Sequence, residues 1–214
     1  MRAQSHVRPA GSFGSWLSAM RAVLKGEQTA DVPCDGCVGC CVSFYAIALR
    51  PEDKAALSAV PDRHLRLPVD GGLAYMGYRD DGTCPMLEAG RCTIYADRPQ
   101  TCRDYDCRIY AATGLLPDGH RPVIEERVLE WRFDFSTEEE MRQSEALRRA
   151  ACFIREHGAL FPPGIRAESA AAVAVLAVKV WPLFRNEKGG GSEEPSPEEQ
   201  TRRVLEAARA FDAR

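Results

Sequence analysis

The chain carries nine cysteines, and eight of them crowd between Cys34 and Cys107, while Cys152 stands apart. A deprotonated thiol is a soft anionic ligand, so clustered cysteines point to a thiophilic metal, whereas scattered ones behave as small buried hydrophobes. The first group is Cys34-x2-Cys37-x2-Cys40-Cys41. Two intervening residues let successive sulfurs turn onto one metal. The second group is spread wider: Cys84-Pro85, Cys92-Thr93-Ile94-Tyr95, Arg98-Pro99-Gln100-Thr101-Cys102 and Cys107. A hairpin and a helix start are needed to gather those four.

The candidate metal ligands are therefore Cys34, Cys37, Cys40, Cys41, Cys84, Cys92, Cys102 and Cys107. Structural zinc takes four thiolates and a [4Fe–4S] cluster takes four. Eight thiolates could serve two centres, or one centre with cysteines left for redox or substrate chemistry. The cofactor is zinc or iron, with an iron–sulfur cluster among the options. The first group opens like a bacterial ferredoxin run but departs from it where Cys41 follows Cys40 directly. On an extended backbone, Cys40 and Cys41 would point to opposite sides and could not easily serve one tetrahedral metal.

Other side chains have plainer readings. Arg98 and Arg103 flank Cys102 and either offset thiolate charge or stand exposed at a helix start. Tyr95, Tyr105 and Tyr110 are expected to pack over a site rather than react in it. His6, His64, His120 and His157 have no ligand spacing to a cysteine pair and read as surface residues. Cys152, between Ala151 and Phe153, reads as a buried thiol. No phosphate-binding GxxxxGK[ST], dinucleotide GxGxxG or HExxH motif is present.

Composition narrows the class. Hydrophobic residues make up 45% of the 214, enough for a core, and a formal net charge of -3 gives no electrostatic case for nucleic acid. The most apolar run, residues 170–178, is too short to span a bilayer, and the first residues lack the pattern of a secretory signal. A cytoplasmic protein is expected, where thiols stay reduced and dense cysteines indicate metal or redox chemistry.

Several elements must position the cysteines. Residues 1–30 form a polar lead and an amphipathic helix with Trp16, Leu17, Met20, Val23 and Leu24 on one face. Residues 31–43 form a tight Gly- and Cys-rich loop. Strands are expected over 44–49, 73–78 and 92–95, with a helix starting at Pro51 and a short one capped by Asp97 that carries Cys102. Further on, Trp131, Phe133 and Phe135 alternate as a strand, and Ser136 caps a helix with Glu139 at its third position. That helix should run to about His157. An Ala-rich helix follows over 168–180, then a flexible linker, then a helix with Val204, Leu205, Ala208 and Phe211 on one face.

Taken together, CDGCVGCC, CPML and GRCTIYADRPQTCRDYDC resemble the YkgJ-type cysteine-cluster family of zinc- or iron-chelating proteins over residues 34–107. The resemblance implies that the eight clustered cysteines are the family's own. A related cysteine-rich module occurs in flagellin lysine N-methylases, although the remaining regions of a methylase are not identifiable here.

The fold expected is α+β: a small irregular metal-cross-linked core with a short antiparallel hairpin, flanked by helices. Its parts are an N-terminal helical extension (1–30), a cysteine-cluster domain (31–110), a strand plus helices packing on it (111–185), a linker (186–197) and a C-terminal helix (198–214). The function expected is metal binding. The alternatives are an iron–sulfur enzyme or accessory factor in protein modification such as methyl transfer, and a thiol redox switch using Cys40 and Cys41. A protein partner, of unknown identity, would dock through the helices.

Overall fold

The computed structural model describes residues 7–30, 32–34, 36–45, 47–68, 72–185 and 195–213. The expected linker over 186–197 and His6 lie largely or wholly outside these residues. The fold is α+β. Its residues fall into two compact units, one of Met1–Gln28, Cys107–His120 and Val128–Arg214, the other of Thr29–Asp106 and Arg121–Arg127.

The first unit is mainly helical. Strand β1 (Arg8–Ser12) pairs in parallel with β7 (Trp131–Asp134), Arg8 opposite Trp131 and Ser12 opposite Asp134. Pro9 has no N–H to give a ladder, which a two-stranded edge tolerates. Ser12 then caps α1 (Phe13–Leu24), its hydroxyl accepting from the Ser15 N–H at 3.4 Å. Helix α1 buries Phe13, Trp16, Leu17, Met20 and Val23, the stripe that a 3.6-residue period creates.

Helix α6 (Glu138–Glu156) buries Ala146, Leu147, Ala150, Ala151 and Ile154. It packs on α7 (Ala170–Val180), which buries Val173, Ala174, Ala177, Val178 and Val180. The alanines on both faces let the two backbones approach closely. The capping box of α6 lies one residue later than expected. Thr137 is the cap, accepting from the Glu140 N–H at 3.2 Å, while the Glu140 carboxylate accepts from the Ser136 N–H at 2.6 Å. Glu140 also takes the Ser12 hydroxyl at 2.6 Å and the Gly14 N–H at 3.1 Å, tying the start of α1 to the start of α6.

Helix α8 (Pro197–Asp212) has Ser196 as its cap and buries Gln200, Thr201, Val204 and Phe211. The Phe211 ring lies under Arg21 at 4.7 Å, with Lys25 at 5.5 Å and Lys179 at 5.8 Å. Helix α4 (Arg108–Thr113) completes this unit and stops at Gly114, where a φ of 72° suits glycine.

The second unit is smaller and more irregular. Strands β2 (Ile47–Leu49), β3 (Leu65–Arg66) and β4 (Ala74–Met76) form an antiparallel sheet in the order β2-β4-β3, with Met76 opposite both Ile47 and Leu65. Strands β5 (Leu87–Glu88) and β6 (Arg91–Cys92) form the expected short hairpin. Helices α2 (Lys54–Ala59) and α3 (Gln100–Asp104) flank the sheet, and the first residues of α5 (Pro122–Glu130), up to Arg127, belong here too.

The strands are shorter than the sequence suggested. Phe44, at a φ of 54°, breaks the extended run before β2. The residues after Cys92 turn, the Asp97 N–H bonding the Ile94 carbonyl at 2.9 Å. Helix α2 begins at Lys54 rather than at Pro51, because Asp53 spends a carboxylate oxygen on the Arg50 N–H at 2.8 Å and folds that stretch into a turn. Asp97 does not cap α3. Pro99 holds the cap position, and Asp53 reaches across the sequence to accept the Gln100 N–H at 2.8 Å. Among the described residues, no helix is long and apolar enough to cross a membrane.

Candidate metal centre

The Gly- and Cys-rich loop folds as successive tight turns. The Cys37 N–H bonds the Cys34 carbonyl at 2.8 Å, and the Cys41 N–H bonds the Val38 carbonyl at 2.8 Å. Residues Gly39–Val42 form one turn of 3-10 helix, so the condition under which Cys40 and Cys41 would point to opposite sides, an extended backbone, is not met. With three residues per turn, neighbouring side chains diverge by about 120° rather than 180°. The Cys40 and Cys41 thiols accordingly influence each other, the first held below the ordinary thiol value and the second pushed above it. The geometric objection to their sharing a centre does not hold in this conformation.

Gly39 makes the turn possible. A Cβ there would stand 3.2 Å from Ile124 and 3.4 Å from the Cys37 sulfur. The Gly39 N–H points to the Cys37 sulfur at 3.4 Å, and the Ser43 hydroxyl donates to the Gly39 carbonyl at 2.5 Å. Arg121, just before α5, donates to the Ser43 carbonyl and lies 4.1 Å over the Tyr45 ring. The start of α5 thus backs the first cysteine loop, which sequence spacing did not suggest.

Cys84 joins the two groups of cysteines. Its N–H donates to the Cys41 carbonyl at 2.7 Å, and its thiol meets that of Cys41. The Cys84 sulfur also lies 3.6 Å from that of Met76. Cys84 is buried with Ile47, Leu49, Met76 and Met86, and Cys41, Cys92 and Cys102 pack against the same apolar cluster. Cys92 ends β6, and Cys102 sits in α3.

The electrostatics tie seven cysteines into one region. Cys41, beside Cys40 and Cys84, lowers both of those thiols to about 7 and is itself pushed up by the same contacts. Burial, reinforced by Cys40 and Cys37, raises Cys34 to about 11. Burial, then the charges of Cys40, Cys84 and Cys92, raises Cys102 to about 12, and burial also raises Cys92. Arg98 pulls the other way on Cys34, Cys92 and Cys102, and Arg79 on Cys84. The charge-offset reading of Arg98 therefore has support, while Arg103 turns to the Arg98 and Ala96 carbonyls at 2.9 and 2.6 Å.

Cys107 belongs to the other unit. It stands at the start of α4, and the Trp131 indole N–H donates to its sulfur at 3.3 Å. Cys152 is half-buried rather than buried, its thiol donating to the Glu156 carboxylate at 3.0 Å, a contact that raises its pKa. His64 accepts from Arg63 at 3.1 Å, His120 is exposed, and the His157 ring lies 4.6 Å from that of Phe153.

Of the tyrosines singled out by sequence, Tyr105 donates to the Tyr45 hydroxyl at 3.1 Å, Tyr110 is buried in the first unit, and Tyr95 is exposed beneath Arg98 at 4.1 Å. The tyrosine facing the thiols is instead Tyr78. Burial, then the charges of Cys84 and Cys102, pushes its phenol upward. Its hydroxyl donates to the Tyr45 carbonyl at 2.5 Å.

The donor set suits a soft cation: thiols, one neighbouring thioether, and two of the thiols already biased toward thiolate. As placed, Cys41 couples electrostatically to both Cys40 and Cys84. Among the described residues, no three His, Cys, Asp or Glu side chains are gathered as a closed metal-binding group.

Residues 33–127 match the family model CxxCxxCC, whose description reads "putative zinc- or iron-chelating domain". That stretch of the chain is similar to the family's domain. The matched stretch runs past Cys107 and includes Arg121 and Ile124, which lie against the first cysteine loop. No curated protein and no solved structure matches the chain.

Proposed function

We propose that the CxxCxxCC domain holds zinc or iron through thiolates, with Cys40, Cys41 and Cys84 at the heart of the ligand set. One observation carries this reading: the two cysteine groups meet at Cys41 and Cys84, the one half-buried against the apolar cluster that buries the other, and the two are joined by a 2.7 Å backbone hydrogen bond. Cys34, Cys37, Cys92 and Cys102, in the same unit, are the further donor candidates, and Cys107 is the eighth. Zinc would supply a redox-inert cross-link there, whereas iron would add electron-transfer chemistry.

The chain's own residues prepare the site. The Cys41 thiol beside them lowers Cys40 and Cys84, so both reach the thiolate form more readily than free cysteine. Arg79 and Arg98 offset the negative charge that gathers when several thiols ionise. The apolar wall of Ile47, Leu49, Met76 and Met86 keeps water away from Cys84. A reducing compartment suits nine free thiols, and we place the protein in the cytoplasm on that ground. The role that follows is that of a metal-holding module whose helices are available to a protein partner.

The test is metal analysis of protein purified without oxygen, on the native chain and on Cys40→Ser, Cys41→Ser, Cys84→Ser and Cys152→Ser. Metal should fall in the first three and persist in the fourth. Equal metal in all five would remove the assignment.

A further inference from the structure

We infer that Arg79 is a positioning residue for Cys84, an inference that rests on the metal-holding reading of the domain. The segment after β4 leaves the sheet at Tyr78 and must return Cys84 to the Cys41 sulfur within six residues. Arg79 closes this loop at both ends. Its N–H bonds the Thr83 carbonyl at 2.9 Å, and its own carbonyl accepts from Gly82 at 2.9 Å. Its guanidinium then reaches over Cys84. One terminal nitrogen donates to the Leu87 carbonyl and the other to the Pro85 carbonyl, each at 2.7 Å, and the Thr83 hydroxyl lies at 3.4 Å.

The carbonyls of the Cys84–Leu87 turn are satisfied one by one. That of Cys84 takes the Leu87 N–H at 3.0 Å, and that of Met86 takes the Thr93 N–H at 2.8 Å and the Thr93 hydroxyl at 3.1 Å. Those of Pro85 and Leu87 go to Arg79. Pro85 is buried and Leu87 half-buried, so the Pro85 carbonyl above all is not easily handed to water. Two carbonyls two residues apart, facing the same way, match the fixed fork of a guanidinium and do not match the single point of an ammonium.

The fork therefore fixes the turn that aims the Cys84 thiol at Cys41. Charge is a separate contribution of the same side chain, since its cation also favours the Cys84 thiolate. Arg79→Lys separates the two: it keeps the charge and loses the fork. A purely electrostatic role is rescued by lysine, and a positioning role is not.

The first readout needs no metal. In the metal-free full-length chain, the alkylation rate of each cysteine by N-ethylmaleimide is followed by peptide mass spectrometry. Arg79→Lys should speed modification of Cys84 by about tenfold, as expected for a turn that has lost the partners of two carbonyls, and leave Cys152 unchanged. Arg79→Ala should do at least as much, and circular dichroism will show whether it still folds; Arg79→Lys decides the question if it does not.

The second readout is cobalt(II) titration, read by the thiolate-to-cobalt charge-transfer band. Arg79→Lys should weaken the band per bound cobalt to the level of Cys84→Ser, and adding Arg79→Lys to Cys84→Ser should change nothing more. Wild-type alkylation of Cys84 in Arg79→Lys would overturn the inference, as would an undiminished effect of that substitution in the Cys84→Ser background. A wild-type chain with no thiolate band would instead defeat the metal reading, while the alkylation rates would still decide the role of Arg79.

Discussion

Replacing Gly82 by alanine should destabilise the second unit through two separable causes. Gly82 sits in the loop that Arg79 closes, at a φ of 81°, where a side chain costs roughly 1–2 kcal/mol. A Cβ built there would also lie 2.1 Å from the tip of the Phe44 ring, so that ring must move. Phe44 is largely exposed and can swing away, but it then leaves the Tyr78 ring, now 5.3 Å from it. Losing such an aromatic pair costs about 0.5–1.5 kcal/mol.

The sum is about 1.5–3.5 kcal/mol, which corresponds to a roughly 10- to 400-fold loss of protection. The assay is amide hydrogen exchange of β2 and β4, strands whose opening reports on this unit. In a Phe44→Ala background the ring contribution is already gone, and Gly82→Ala should then cost only the backbone part, about 1–2 kcal/mol. A cost below about 0.5 kcal/mol for Gly82→Ala, or the same cost with and without the Phe44 ring, would refute the reasoning.

Three further outcomes follow from the structure. Glu140→Gln should lower the thermal midpoint at neutral pH and flatten its fall in acid. The Glu140 carboxyl is held below its usual 4.5 by the Ser12 hydroxyl and the Ser136 and Gly14 amides, so its stabilisation is present above that value and is lost as pH drops through the lower folded value. An unchanged acid limb in the variant would contradict this. Phe211→Ala should cost about 3–5 kcal/mol for a buried aromatic and release α8 to proteolysis; a protease-resistant C-terminus would count against the docking seen there. Gly39→Ala should disturb the first cysteine loop by pressing on Ile124 at 3.2 Å, and Ile124→Ala in the same chain should relieve it, measured as recovered metal content.

How legible all this was in the sequence depended on whether the signal was local. The apolar stripe of α1 and the boundaries of α6 and α7 could be read from periodicity, because each helix buries one face of its own. So could the turn residues around Cys84, whereas the hairpin of Leu87–Glu88 with Arg91–Cys92 lies earlier than the strand expected over 92–95. Elements that depend on distant partners could not. Strand β1 contains Pro9 and Gly11 and looks like coil, yet it pairs with β7 more than a hundred residues away.

The same divide runs through the candidate site. The cysteines announced themselves by spacing, but the way they meet did not. It hinges on a 3-10 turn at Gly39–Val42, a conformation that the reading of a tight loop over residues 31–43 did not specify. Asp53 serves as the cap of α3 from 47 residues away, so no local pattern marks it. Arg79, Tyr78, Arg121 and Ile124 contact the cysteine loops through the fold. A residue type carries no sign of such contacts, and an arginine after a strand most often faces water. The one available hint was Pro85, which removes an N–H and leaves neighbouring carbonyls to find donors elsewhere.

The most direct test of the central claim is quantitative metal analysis with a visible absorption spectrum, on full-length protein purified without oxygen, beside Cys84→Ser. The account predicts bound zinc or iron in the native chain and a marked loss of it when Cys84, the residue joining the two groups of sulfurs, becomes serine. Protein that is folded, reduced and free of both metals, and that takes up neither when it is supplied, would contradict it.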